Sequence, residues 1–187
     1  MLGGCPDLDL RPAEMKRSTM DVWIQECPQC GYTSESVSDY SGVTEEWLKS
    51  EKYLSCDGIN FISELAERFY RCYLIKLEDQ NVAGAFYAVL HAAWACDDAS
   101  DDDNAKHCRA LAIPLATELS DGNYEDKENI MVVKADLMRR TGKFNELIEE
   151  YSPIRFKDDT LNRILEFENK KAKIGDISRY CLDDVIR

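Results

Sequence analysis

Residues 60–78, NFISELAERFYRCYLIKLE, set Ile62, Leu65, Ala66, Phe69, Cys72, Tyr73 and Leu77 at three- and four-residue steps. Positions so spaced share one face of an α-helix, so the stretch predicts an amphipathic helix with Asn60 as its cap. The same period continues to the end of the chain. Residues 82–99 form the most apolar segment (Ala85, Phe86, Val89, Leu90, Ala92, Ala93, Ala95, Cys96), and their small side chains predict a helix packed closely on several sides. Residues 101–119 predict a third helix, with Asp101, Asp102 and Asp103 at the end where negative charge favours the dipole. Pro114 is expected to kink or divide it.

Further helices are expected at 124–141 and 145–151, separated by Gly142 as a left-handed cap, with Pro153 after the second. Another is expected at 157–174, with Leu161, Ile164, Leu165 and Phe167 as its apolar set and Gly175 as its stop. The tail, 176–187, reads as a short last helix. No alternation of strands and helices follows residue 60, so the expected class is mainly α.

The first sixty residues differ. They hold Pro6, Pro12, Pro28 and a Gly3-Gly4 pair, and show no long helical period. Residues 20–26 alternate Val22, Ile24 and Glu26 with Asp21, Trp23 and Gln25, which predicts a short strand leading into Cys27. A short helix is expected at 44–52, capped by Thr44. The expected organisation is a zinc-ribbon-like head and linker over 1–58 and an all-helical domain over 59–187.

Cys27-Pro28-Gln29-Cys30-Gly31-Tyr32 carries the most specific chemistry in the chain. Thiolates at i and i+3 of a tight turn face one metal ion; the following Gly permits the left-handed backbone that aims amides at sulfur, and the Pro stiffens the turn. Zinc in a structural role is the expected cofactor. Such turns usually come in pairs. Cys5-Pro6 resembles the second half of another, but Leu2 stands where its first thiol belongs. Cys56 is the remaining thiol outside the helical pattern, so the expected ligand set is Cys5, Cys27, Cys30 and Cys56. An incomplete site, or a first ligand lying before residue 1, is the alternative. A redox Cys-x-x-Cys expects a long helix starting at its first Cys, whereas Gly31-Tyr32-Thr33-Ser34 is turn-like. Cys72, Cys96, Cys108 and Cys181 fall in helical patterns, where free Cys acts as a small apolar residue, and no disulfide framework is expected.

The chain has 187 residues with 23 basic and 36 acidic side chains, a net charge of −13. Residues 1–60 hold 5 basic against 11 acidic, and the remainder 18 against 25. Both parts repel a phosphate backbone, so nucleic acid is a poor partner. No apolar run is long enough to span a membrane, and no signal peptide is evident, which makes a cytoplasmic location the expectation. His91 and His107 form no ligand pair. The Asp97-to-Asp103 run lacks the Gly and Glu of a calcium loop. No phosphate loop, nucleophile elbow or dinucleotide fingerprint occurs.

Two helix pairs resemble tetratricopeptide repeats. Gly142, Phe144, Leu147 and Tyr151 fill the turn and packing positions of one; Gln80, Val82, Ala85, Val89 and Ala92 have the same spacing without the Gly. Gln80 and Gly142 are 62 positions apart, against about 34 in a regular array, so the expectation is a degenerate TPR-like antiparallel stack. Residues 20–32, followed by these helices, resemble uncharacterised bacterial proteins, chiefly from Firmicutes, with two Cys-Pro-x-Cys turns and a tetratricopeptide-like domain. That resemblance implies architecture and no activity. The expected function is a non-enzymatic scaffold for a protein or peptide partner. The alternative is an enzyme or small-molecule sensor with its site near His91, Trp94, Cys96 and Asp98.

Overall fold

Helices begin where a side-chain oxygen meets the first free backbone N–H groups. In the computed structural model, which describes residues 4–38 and 42–186, Ser63 accepts from the N–H of Ala66, Asn81 from that of Gly84, and Asp158 from those of Thr160 and Leu161. The described elements are a 3-10 turn Arg17–Val22, β1 (Gln25–Glu26), β2 (Thr33–Ser34), α1 (Glu45–Leu48), α2 (Glu51–Leu54), a 3-10 turn Cys56–Gly58, α3 (Glu64–Glu78), α4 (Val82–Asp98), α5 (Asp102–Asp121), α6 (Lys127–Arg140), α7 (Phe144–Tyr151), α8 (Asp159–Lys173) and α9 (Leu182–Ile186). The protein is mainly α. Its β-structure among the described residues is the antiparallel β1–β2 pair and one isolated bridge, Asp7 to Cys181.

Several boundaries differ from expectation, each for a local reason. Helix α3 starts after Ser63 rather than Asn60, whose carbonyl instead accepts from Asn104. The helix expected over 44–52 is two, because Ser50 caps a new start by accepting from Tyr53. Residues 20–22 are 3-10 rather than strand: Trp23 N–H bonds back to the Met20 carbonyl and its indole to Thr19. Helix α5 runs on through Pro114. Cys181 pairs as strand, not helix.

The chain forms two compact units, Met1–Ser18 with Ala116–Arg187, and Thr19–Leu115. The boundary expected between residues 58 and 59 lies inside the second of these, where β2 packs on α3. That unit is built on the α3–α4 hairpin. Gln80 turns it with φ +55°, and Gly84 lets the helix start close over Asn81 and Lys76, whose side chains a Cβ would meet at 2.9 Å. Phe69, Ile75, Phe86, Val89 and Leu90 are buried between the helices. A bidentate pair from Arg109 to Asp97, at 3.0 and 2.6 Å, ties α5 to α4.

The other unit closes around buried charge. Arg139 of α6 is fully buried; its Nε donates to Glu168 of α8 at 2.5 Å and one terminal nitrogen to Asp136 at 2.6 Å. The other terminal nitrogen reaches the carbonyls of Asp176 and Ser178 at 2.9 and 2.7 Å. This brings the C-terminal segment in, and residues 6–8 pair beside it: Leu8 N–H donates to Tyr180 and Leu182 N–H to Pro6, each at 3.0 Å. The pairing sets Cys5 against Cys181, and a disulfide joins them with Cα atoms 5.9 Å apart. A tight turn with Leu10 at φ +69° follows, Asp7 N–H bonding to Arg11 O, and Arg11 is carried into the interior. Asp9 meets Arg140 at 3.1 Å and Asp7 meets Arg17 at 2.7 Å.

Burial, and then the facing Asp136 charge, push Glu168 up to about 8, against the smaller opposing pull of Arg139. A carboxyl whose folded pKa lies above its unfolded value stabilises fully below the unfolded value and loses that stabilisation as pH rises through the folded one. Stability should therefore fall from about pH 4.5 to pH 8, by at most about 1.4 kcal/mol per pH unit from this group; Glu168→Gln should flatten that slope in urea melts. Cys5 and Cys181 are 176 positions apart, so reduction, or Cys181→Ser, should cost about 2–4 kcal/mol. Non-reducing peptide mapping should recover the two segments joined.

Candidate metal centre

The turn between β1 and β2 is fixed at both ends by backbone bonds. Cys27 N–H donates to the Tyr32 carbonyl and Gly31 N–H to the Cys27 carbonyl, both at 2.8 Å. Gly31 sits at φ +71° with open space where a Cβ would stand, so backbone conformation and not crowding selects it. Beneath the turn lies Tyr53, fully buried, whose hydroxyl donates to the Gly31 carbonyl at 2.5 Å and shares a hydrogen bond with Thr33 at 3.2 Å. Burial pushes the Tyr53 phenol up to about 12, so it stays a donor at physiological pH.

The turn presents two thiols outward. Cys30 is exposed and Cys27 half-buried, with Pro28 and Gln29 exposed between them. The Cys27 sulfur accepts the backbone N–H groups of Gln29 and Cys30 and a hydrogen bond from the Cys30 thiol, and these donors hold its pKa below the ordinary thiol value. Amides aimed at sulfur favour thiolate, the form that ligates metal. The donor set thus suits half of a tetrahedral zinc site.

The other two expected ligands are elsewhere. Cys5 is taken up by its disulfide with Cys181, because the pairing of residues 6–8 with 180–182 holds those sulfurs together. Cys56 is buried at φ +49°, hydrogen-bonded to the Arg71 guanidinium, and burial pushes its thiol up. Among the described residues no three His, Cys, Asp or Glu side chains are grouped to hold a metal ion. Burial takes Cys72 up to about 12, and Cys108 is raised by its hydrogen bond to Cys96 and by burial. These two and Cys96 behave as core residues, whereas Cys181, expected as a free apolar residue of a helix, is bonded to Cys5.

Of the residues of the alternative site, His91 and Trp94 are in ring contact at 4.9 Å, and none of His91, Trp94, Cys96 and Asp98 lines a cleft described below. His91 sits among the rings of Trp23, Phe69, Tyr87 and Trp94, with centroids 4.9–6.5 Å away. Trp94 and Cys96 are buried. Asp101 accepts from Ile62 N–H and Asn104, a structural use of the acidic run. Three clefts lie on other residues. One of 500 Å³ is lined by Glu26, Glu64, Glu67, Arg68 and Arg71. One of 290 Å³ lies among Tyr151, Arg155, Asn169 and Lys173. The third, of 320 Å³, is mostly apolar and lined by Leu8, Leu10, Val132, Val133, Leu161 and Ile164 with Asp7, Asn129 and Asp158 at its polar parts. Sequence reasoning missed this last cleft; the alternation of Asp7, Asp9 and Arg11 with Leu8 and Leu10 was the available signal.

No family model matches the chain, and no curated protein or solved structure matches it. None of these comparisons supports the expected resemblance of residues 20–32 and the helices after them to a bacterial family. No helix among the described residues is long and apolar enough to cross a membrane.

In metal-free protein at neutral pH, iodoacetamide should modify Cys27 and Cys30 first. Labelling of Cys56, Cys72, Cys96 and Cys108 should lag by more than about tenfold, since burial blocks access to all four and raises the thiol pKa of Cys56, Cys72 and Cys108. Time-resolved peptide mass spectrometry reads this directly.

Proposed function

We propose that this protein is a non-enzymatic interaction scaffold that holds a structural zinc ion at Cys27 and Cys30. The observation that carries the reading is the turn closed by Cys27 N–H to the Tyr32 carbonyl and Gly31 N–H to the Cys27 carbonyl, which presents Cys27 and Cys30 together at the surface. A tight turn with both thiols on one side is the form in which two cysteines ligate one zinc ion. Fixing of the turn by Tyr53 supports a structural role, since the ligands sit on a braced element rather than a loose loop.

The scaffold part rests on the helical body. Helices α3 and α4, and α6 and α7, each pair across a three-residue turn, which is the element a degenerate TPR-like stack would use. The 320 Å³ apolar cleft, with acidic groups among its lining, suits an apolar side chain of a peptide partner. Clustering of His91 with aromatic rings and burial of Trp94 and Cys96 give the enzyme alternative no support.

Protein purified without chelator should contain zinc by elemental analysis. Cys27→Ser and Cys30→Ser should each lose it, while Cys56→Ser and Cys72→Ser should keep it. Absence of zinc from the unmodified protein, after growth with added zinc, would sink the reading.

A further inference from the structure

Every thiol and imidazole of the chain has a place in the structure, and only two are offered outward together. Cys5 and Cys181 are joined, and Cys56, Cys72, Cys96 and Cys108 are buried. His91 is held among four aromatic rings. His107 lies exposed on α5, in no group of three that would hold a metal ion. The residues outside the description, 1–3, 39–41 and 187, include no Cys or His. Structural zinc takes four ligands, almost always thiolate and imidazole. Two are present together among these residues, which leaves two coordination positions to be filled from outside them.

We infer that the missing ligands are Cys27 and Cys30 of a second copy, so that one zinc ion joins two chains tip to tip. This rests on the structural-zinc reading above. The tip suits a two-fold contact: Pro28, Gln29 and Cys30 are exposed, and no charged side chain lies between Cys27 and Tyr32. Two copies of net charge −13 would meet at this uncharged stretch, with the adjacent Glu26 paired to Arg71 at 3.4 Å. A two-fold axis through the metal makes the same pair serve both sides, which is the simplest closed symmetry. The bonds balance simply: four thiols bind one zinc ion, four Zn–S bonds form, and four protons pass to solvent.

Native mass spectrometry and light scattering, with zinc titrated into metal-free full-length chain, test this. The expected result is half a zinc per chain at saturation, a dimer carrying one zinc, and return to monomer with EDTA. Cobalt in place of zinc should give the absorption of a four-thiolate tetrahedral site, saturating at one cobalt per two chains. Cys30→Ser should stay monomeric and Cys56→Ser should dimerise as the parent does. One zinc per monomer would overturn the inference and leave the zinc reading standing. A dimer that survives EDTA and Cys30→Ser would overturn it as well. No binding of zinc or cobalt at all would remove both.

Discussion

The Arg139 guanidinium organises the unit formed by the chain's two ends. A buried cation is tolerated only when its donors are spent on well-placed acceptors, and removing one partner of such a group costs about 3–5 kcal/mol. Arg139 spends its donors on two helices and on the carbonyls of the segment that follows α8. Without it, residues 176–178 would lose these bonds to α6, leaving Lys171 of α8 to hold Asp176 and Tyr180. Hydrophobic burial closes α6, α7 and α8 on one another; one polar group decides where the termini go. The paired carboxyls of Asp136 and Glu168 are the consequence, because two acids around one guanidinium cannot both ionise cheaply in a dry interior.

The second unit solves a similar problem on a smaller scale. Its α3–α4 hairpin is an apolar body that needs no buried charge at its centre, and the thiol-bearing turn is a polar appendage that must be held against it. Tyr53 does this with a ring in the core and a hydroxyl under the turn. The left-handed run Cys56, Asp57, Gly58 follows immediately after α2 and seats the Cys56 sulfur by Arg71, which also reaches Glu26 beside Cys27. Strained backbone and a bridging cation thus underlie the turn, and they do so without lending it a third thiol.

Much of this was legible and some was not, for identifiable reasons. Helices α3 to α8 were visible because their apolar residues recur at 3.6, a signal that sums over many positions. Their starts were misjudged where two caps competed, as with Asn60 and Ser63, since a cap is one hydrogen bond and any nearby side chain can win it. The Cys27–Cys30 turn was legible because all of its determinants lie within six residues. The Cys5–Cys181 bond was not, because local pattern carries no information about pairs 176 positions apart. Arg139 was hidden in the same way: on an amphipathic helix an arginine reads as surface until its acceptors, on α8 and beyond, are known.

The disulfide closes residues 5–181 into a covalent ring. A protease that cuts an exposed loop such as the one around Gly122 would then leave a nicked ring, not two pieces. The fragments would stay at the high effective concentration of a tethered pair, still able to refold on each other, until a reductant released them. Tolerance of a single cut, and its sudden loss on reduction, is built in by where the two ends meet.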